Sequence, residues 1–159
     1  AHLQKLSIQG VRSFDPDTCQ EIKFFPLTLI LGPNGAGKTT VIESLKYAAT
    51  GNLPPNCNMG RSFVHDVLFA NQATIRGQIR LRFTDVENKS TVITRSMQTT
   101  CRKSKTSSNP SITFKQMNQV IKREGKSIDQ KCADINNEVI ELIGVSKGFN
   151  LLLPYLPMN

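Results

Sequence analysis

The sequence predicts an α/β domain in which a buried strand, a glycine-rich loop and a helix follow one another beside an antiparallel sheet. Residues 27–31 form an almost continuous apolar run that ends at Gly32, a pattern typical of a strand buried on both faces of a largely parallel sheet. No Pro or Gly interrupts residues 38–49, whose apolar side chains recur at helical spacing before Gly51. Residues 75–83 alternate apolar and polar side chains, which predicts a strand exposed on one face.

The other elements are shorter or less regular. Residues 6–8 and 21–25 read as two short strands, and Pro54 and Pro55 make residues 51–62 a loop. A turn at 86–89 leads to a return strand at 91–98, followed by a polar, basic loop at 101–110 and a possible strand at 112–115. Ser127 is expected to cap a helix that ends at Gly144. The apolar positions of that helix are Ile128, Cys132, Ile135, Val139 and Leu142.

Length and composition favour one globular domain or a piece of a larger protein. The chain has 159 residues, of which 38% are hydrophobic and 20% charged, so it can supply a core. Its most apolar stretch, residues 149–158, is broken by Pro154 and Pro157 and is too short to span a bilayer. The amino terminus lacks a signal peptide's apolar segment, and the four cysteines are too widely spaced for a metal site. We therefore expect no membrane association, and reduced thiols in the cytosol or nucleus.

The positive charge is concentrated in one segment. The formal net charge is +8, and residues 76–131 alone hold 13 basic and 4 acidic side chains. Such a field favours a polyanion, because Lys and Arg displace the counterions condensed on nucleic-acid phosphates. The candidate phosphate contacts are Arg76, Arg80 and Arg82, with Arg95 and the loop residues Arg102, Lys103 and Lys105. A solvated strand face is the alternative, and without interleaved aromatic residues base stacking has little support.

The motif with the clearest chemistry is GPNGAGKT at residues 32–39, which satisfies GxxxxGK[ST] between the predicted buried strand and helix. We call residues 32–39 the phosphate loop. Gly35 and Gly37 let backbone N–H groups surround phosphate oxygens, and the following helix start adds unpaired N–H groups. Lys38 can neutralise β- and γ-phosphate charge, Thr39 can ligate Mg²⁺, and Thr40 can bond the next phosphate inward.

The sequence segments around this motif resemble those of a known family. The segments KLSIQGVRSF at 5–14, FFPLTLILGPNGAGKTTVIESLKYAATGNLPPN at 24–56, SFVHD at 62–66 and GQIRLRF at 77–83 closely resemble the start of the Rad-fifty ATPases. With CADIN at 132–136 and GVSK at 144–147, the similarity spans residues 3–147 and is looser across 99–126. That family consists of SMC-like, ABC-type ATPases that work with a nuclease in DNA double-strand-break repair.

The resemblance implies the amino-terminal half of an ATPase head: a P-loop lobe with a mixed sheet, a phosphate-loop helix and an antiparallel portion. The second half lies beyond a coiled coil and a zinc hook outside this chain. The implied cofactors are ATP and Mg²⁺, with Lys38 as the catalytic residue and Thr39 as the metal ligand. The implied nucleotide contacts are Arg12, Asn34, Gly35, Gly37, Lys38, Thr39, Thr40, Val64 and Asp66. Arg12 also leaves the first strand near the phosphate loop, and the alternative reading is a surface arginine. His65 and Asp66 read more simply as residues that make local hydrogen bonds.

The same resemblance implies partners and a location. They are a repair nuclease subunit, a second head in a homodimer, and double-stranded DNA, at the chromosome in the nucleus. Two heads would clamp two ATP molecules and so couple nucleotide state to DNA tethering and nuclease access.

The carboxyl end departs from the family pattern. Residues 1–147 fit the half head, whereas residues 148–159 form a divergent tail without the glutamine that ligates Mg²⁺ in the family. The chain also lacks an apolar run ending in Asp-Glu after the phosphate loop, and an LSGG-like signature. We therefore expect nucleotide binding without appreciable hydrolysis by this chain alone. Two other readings stay open: a lobe of another SMC or ABC-type ATPase, and a non-catalytic nucleotide- or DNA-binding fragment from a truncated gene.

Overall fold

A computed structural model of the chain describes residues 1–103, 109–128 and 132–144. They form a six-stranded sheet in the order β2-β1-β3-β4-β5-β6, in which every neighbouring pair is antiparallel. The strands are β1 (His2–Gln9), β2 (Gln20–Lys23), β3 (Thr74–Thr84), β4 (Ser90–Arg102), β5 (Ser111–Arg123) and β6 (Lys126–Ile128), and the helices are α1 (Lys38–Thr50) and α2 (Cys132–Ile143). Neither of these helices is long and apolar enough to cross a membrane.

The core lies between one face of the sheet and the two helices. Alternate residues of β3 are buried, as the apolar and polar alternation predicts, and their neighbours face away from the helices. The fully buried strand and helix side chains include Leu6, Ile8, Ile79, Leu81, Phe83, Ile93, Met97, Ile121, Tyr47 and Val139. The helices therefore cover one face of the sheet and leave the other open.

The apolar run at residues 27–31 does not form the predicted buried strand. Leu27, Leu29 and Leu31 are 91%, 77% and 79% exposed, and none of these residues is assigned to a strand. A strand buried on both faces needs parallel neighbours and covering helices. The six strands described here pair antiparallel in a sheet that does not include residues 27–31. The parallel part of the expected mixed sheet is thus not formed within the described residues.

The segment from β5 to α2 also differs from the prediction. Ser127 lies in β6 and does not cap a helix, because Glu124 and Gly125, both with positive φ, turn the chain back onto β5. The following helix begins at Cys132 and, as predicted, is followed by Gly144. Strand β5 runs from Ser111 to Arg123, well beyond the predicted residues 112–115. The predicted tail at residues 148–159 lies outside the described residues.

Arg95 is fully buried, so its predicted place on the exposed basic surface is wrong. It lies opposite Ile79 and Gln119 in the sheet, on the face that the helices cover. Its Nε donates to Ala48 O of α1 at 2.8 Å, and its Nη1 donates to Asn136 Oδ1 of α2 at 2.8 Å and to Gln119 Oε1. The guanidinium also lies 5.7 Å from the centre of the Tyr47 ring. One side chain thus joins β4 to β5 and to both helices.

A second buried charge organises the turn between β3 and β4. The Asp85 carboxylate accepts hydrogen bonds from the N–H groups of Glu87 and Lys89, from the Thr91 hydroxyl, and from Arg123 Nε at 2.7 Å. Burial by itself raises the pKa of Asp85, but these hydrogen bonds outweigh it and leave the pKa below its usual value. The ionised form of Asp85 therefore stabilises the turn.

Replacing this carboxylate should destabilise the fold in a pH-dependent way. We expect Asp85→Asn to lower the free energy of unfolding at pH 7 by about 2 kcal/mol, because charged hydrogen bonds are lost in a buried site. Since the folded-state pKa is lowered, this stabilisation is present above the usual carboxylate pKa and is lost as the pH falls through the folded-state value. Urea unfolding curves of both proteins between pH 7 and pH 2 measure the difference.

Exposed Glu124 provides the matched control for that experiment. Glu124→Gln should change the free energy of unfolding by no more than about 0.5 kcal/mol at any pH. A difference between Asp85→Asn and the parent that stays constant over this pH range would contradict the assignment to an ionised carboxylate.

Candidate nucleotide and DNA sites

The phosphate loop has the backbone that anion binding requires. Gly35 and Gly37 have φ values of 82° and 85°, in the left-handed region that favours glycine. Gly37 is the N-cap residue of α1 and supplies no side-chain cap, so side chains leave the first N–H groups of the helix unbonded. This helix start is therefore suited to bind phosphate oxygens.

Lys38 is held across the loop by backbone carbonyl groups. Its Nζ donates to Gly32 O at 2.5 Å and to Pro33 O at 2.7 Å. Lys38 is the first residue of α1. Its two hydrogen bonds hold the ammonium group against the beginning of the phosphate loop. The next residue, Thr39, is exposed, whereas Thr40 is buried. Of the two hydroxyl groups, that of Thr39 is the accessible one for a metal ion.

Arg12 lies beside this loop and is tied to its helix. Its Nη2 is 3.1 Å from Glu43 Oε1 and 3.0 Å from Glu43 Oε2, on the second turn of α1. Burial raises the pKa of Glu43, and the Arg12 charge offsets this only in part. The guanidinium also lies 6.0 Å from the centre of the Phe63 ring. Arg12 is thus a half-buried cation with a fixed position, and not a free surface arginine.

The segment after Ser62 is fixed against the same corner. Arg12 N donates to Phe63 O at 2.9 Å, and His65 Nδ1 hydrogen-bonds Arg12 O at 2.5 Å. Val11 and Val64 form an isolated antiparallel bridge. Asp66 Oδ1 accepts a local hydrogen bond from Leu68 N, as the sequence indicated, whereas the partner of His65 lies 53 residues away in the chain. These bonds hold Arg12 and Val64 next to each other.

A cleft of about 410 Å³ brings three predicted nucleotide contacts together. Arg12, Val64 and Asp66 all line it, although more than 50 residues separate Arg12 from the other two. The remaining lining residues are Asn58, Arg61, Ser62, Val67, Thr99, Pro110 and Ile112. Lys38 and the glycines of the phosphate loop do not line this cleft. Arg12 does, and its ion pair with Glu43 ties the cleft to α1, the helix that begins at the end of the loop.

The predicted DNA-contacting arginines share the open face of the sheet. Arg76, Arg80 and Arg82 are exposed on alternate positions of β3, opposite the face that packs on the helices. Register adds Lys5 opposite Arg82 on β1, and Lys115 and Lys122 on β5 face the same way. Sequence reasoning missed these three lysines, because β5 is longer than expected and β1 was not paired with β3. Arg102 and Lys103 are also exposed, and Lys105 lies outside the described residues.

Comparison with known proteins places the chain in a family. The family model of the AAA domain matches residues 5–154. The chain belongs to the AAA domain family. Within it, the chain is 41% identical over 151 residues to the DNA repair protein RAD50 of Dictyostelium discoideum and 43% identical over 153 residues to that of Arabidopsis thaliana. These alignments cover 91% and 92% of this chain, and 11% of each relative.

The relatives confirm the predicted Rad-fifty resemblance. The RAD50 protein of Saccharomyces cerevisiae is 49% identical over 105 residues, which are 65% of this chain and 8% of that relative. The chain spans about a tenth of the length of the curated relatives it matches. It therefore corresponds to the ATPase region of those proteins and not to their whole length.

A solved structure confirms the fold. It comes from work on "Structural biochemistry of ATP-driven dimerization and DNA stimulated activation of SMC ATPases", and it superposes with a TM-score of 0.64 at 15% identity. The match covers 100% of this chain and 93% of that one. The predicted class, an α/β lobe of the ABC and SMC ATPase type, is thus confirmed, although its parallel strand is not formed here.

Proposed function

We propose that the chain is the ATP-binding half of an SMC-like ATPase head that couples ATP to DNA binding, tethering and nuclease control in double-strand-break repair. The observation that carries this proposal is the phosphate loop at the start of α1, with Arg12 fixed beside it by Glu43. Its relatives are DNA repair proteins, which supports the repair role.

The residues present fit Mg²⁺-ATP. The helix start without a side-chain cap and the two left-handed glycines offer N–H groups to phosphate oxygens, and Asn34 lies in the turn just before Gly35. Lys38 would neutralise β- and γ-phosphate charge, and the exposed Thr39 hydroxyl would hold Mg²⁺. Thr40 would bond the next phosphate only after its side chain leaves the buried position. Val64 and Asp66 would lie beside the nucleoside, in the cleft that Arg12 also lines.

The exposed apolar run at residues 27–31 supports a head made of two halves. Three neighbouring leucines before the phosphate loop are more than three-quarters exposed. An exposed apolar cluster of this kind is typical of a surface that another protein segment covers. A second lobe would supply the strands that bury them, and it would also bring the acidic pair and signature that this sequence lacks. Hydrolysis then requires positioning of the attacking water and charge on both sides of the γ-phosphate, which this half does not provide. The zinc hook and coiled coil would join the two halves.

The partners we propose follow from the two surfaces. A second head would close over the phosphate loop to form a homodimer, and a repair nuclease subunit would respond to that closure. Double-stranded DNA would lie along the open basic face of the sheet, at the chromosome in the nucleus. The basic face can contact phosphates, but nothing on it is arranged to read base edges.

Nucleotide binding should depend on Lys38. Lys38→Ala removes the ammonium group that compensates phosphate charge, so it should weaken Mg²⁺-ATP binding at least about tenfold, or about 1.4 kcal/mol. Isothermal titration calorimetry of both proteins measures this. Lys46→Ala removes the same charge from the exposed side of the same helix and should leave the affinity unchanged. Equal ATP affinities for Lys38→Ala and the parent would refute the site.

Duplex DNA binding should be sequence-tolerant and sensitive to salt. We expect charge reversal of Arg80, Arg82 and Arg102 to Glu to weaken binding to all duplexes similarly, and to reduce the dependence of log K on log salt by about one for each lost phosphate contact. Fluorescence anisotropy with two unrelated duplexes, at several salt concentrations, tests this.

The control for DNA binding makes the same change in net charge elsewhere. Lys46, Lys89 and Lys126 lie on α1, in the β3–β4 turn and on β6, and none of them faces the open side with Arg80. Their reversal to Glu should have a smaller effect than reversal on the open face. Equal effects of the two triple variants would show that the basic face does not bind DNA specifically and is only a solvated strand surface.

A further inference from the structure

One wall of the cleft contains a buried hydroxyl that the fold does not use. Thr99 of β4 is 1% exposed, and its Oγ1 has no hydrogen-bond partner among the described residues. A buried hydroxyl without a partner costs free energy, and native structures rarely keep one without a reason. Thr99 lines the same cleft as Arg12, Val64 and Asp66. Thr99 therefore lies beside three of the predicted nucleotide contacts, with its hydroxyl just beneath the surface.

The surroundings of Thr99 explain why the protein itself does not satisfy this group. Its neighbours across the sheet are Ile75 on β3 and Phe114 on β5, and neither side chain carries a hydrogen-bonding atom. The adjacent Ile112 is also apolar and lines the cleft. Neither cross-strand neighbour can therefore satisfy this hydroxyl, and a ligand in the cleft that Thr99 lines is a candidate partner.

The composition of the cleft fits a sugar and a flat ring. Val64, Val67, Pro110 and Ile112 give it apolar walls, and a few polar groups stand between them. Small-molecule sites commonly have this combination, in which apolar walls supply contact and isolated polar groups set orientation. At about 410 Å³ the cleft has room for a nucleoside, with Arg12 at the side of the phosphate loop.

We propose that the Thr99 hydroxyl is a specificity-determining contact to the nucleoside end of the bound nucleotide. The proposal rests on the proposed function, because the phosphate loop must hold the phosphates for the cleft to receive the nucleoside. A hydroxyl can donate or accept a hydrogen bond, so it can pair with a sugar hydroxyl or with a polar edge of the base. Neither the motif nor the family resemblance assigns this position.

The test compares a nucleotide with the same phosphates lacking a nucleoside. Thr99→Val replaces the hydroxyl by a methyl group of similar size and should weaken Mg²⁺-ATP binding about fivefold, as expected for one neutral hydrogen bond. The affinity for magnesium tripolyphosphate should not change. Thr99→Ser keeps the hydroxyl and should bind ATP like the parent. Thr94→Val, on the open face of the same strand, serves as the matched control and should also bind like the parent.

The stability of Thr99→Val is a second readout, because the loss of a hydroxyl that serves the fold would lower the urea midpoint of unfolding. Without ligand, Thr99→Val should unfold at the same urea concentration as the parent or at a higher one, because it removes a buried polar group without a partner. A lower midpoint would show that the hydroxyl serves the fold and would overturn the proposal.

The binding outcomes separate this inference from the proposed function. Equal ATP affinities for Thr99→Val and the parent, or equal losses for ATP and tripolyphosphate, would overturn the role of Thr99 while Lys38-dependent binding stands. If Lys38→Ala weakens neither ligand, or if the parent binds neither, the nucleotide site itself is refuted and this inference with it.

Discussion

The position of both helices depends on one buried guanidinium. Arg95 donates to a carbonyl group in the last turn of α1 and to an amide of α2, from the middle of the sheet. The last carbonyl groups of a helix lack partners within the helix and carry partial negative charge, so they are suitable acceptors for a buried cation. The Tyr47 ring below the guanidinium adds a further favourable contact. Because α1 begins with the phosphate loop, Arg95 also sets the orientation of the nucleotide site relative to the sheet.

This arrangement puts the two proposed binding surfaces on opposite sides of the same strands. Arg95 points to the helices, while its neighbours Thr94 and Ser96 belong to the open face with Arg80. The nucleotide site therefore rests on one face of β3 and β4, and the basic surface is the other face. A movement of α1 that accompanies nucleotide binding would act on strands that carry the DNA-binding candidates. The apolar run before the phosphate loop lies outside this sheet, at the side of the loop where the proposed second lobe would bind.

The sequence predicted the antiparallel part well because its signals are local. The alternation of β3 depends on neighbouring residues alone and is confirmed. The glycines of the phosphate loop are also a local signal, and Gly35 and Gly37 have the left-handed φ values that glycine favours. The alternation of β4 also places Arg95 with Ile93 and Met97 on the buried face. The prediction for Arg95 was wrong because it followed the charge of the side chain and not the two-residue alternation of the strand. Only residues 112–115 of strand β5 were predicted, because a bulge opposite Arg95 and Met97 shifts the register and interrupts the alternation of the strand.

Other features depend on partners that a sequence pattern does not show. The run at residues 27–31 reads as a buried strand, but whether a strand forms depends on neighbours that supply its hydrogen bonds. Glu43 as the partner of Arg12, and Thr99 as a wall of the cleft, follow from contacts between residues far apart in the chain. The resemblance predicts Arg12, Val64 and Asp66 as nucleotide contacts, and only the three-dimensional structure shows that they share a cleft.

The central claim is that this chain is one half of an ATPase head, and hydrogen exchange at residues 27–31 tests it most directly. In the chain alone these amides should exchange rapidly, because they are not part of a sheet. Adding the carboxyl-terminal ATPase lobe of the same full-length protein should protect them, while the exposed loop at residues 15–19 continues to exchange as before. If the second lobe binds and residues 27–31 still exchange at the rate of the free chain, the two-half head is contradicted.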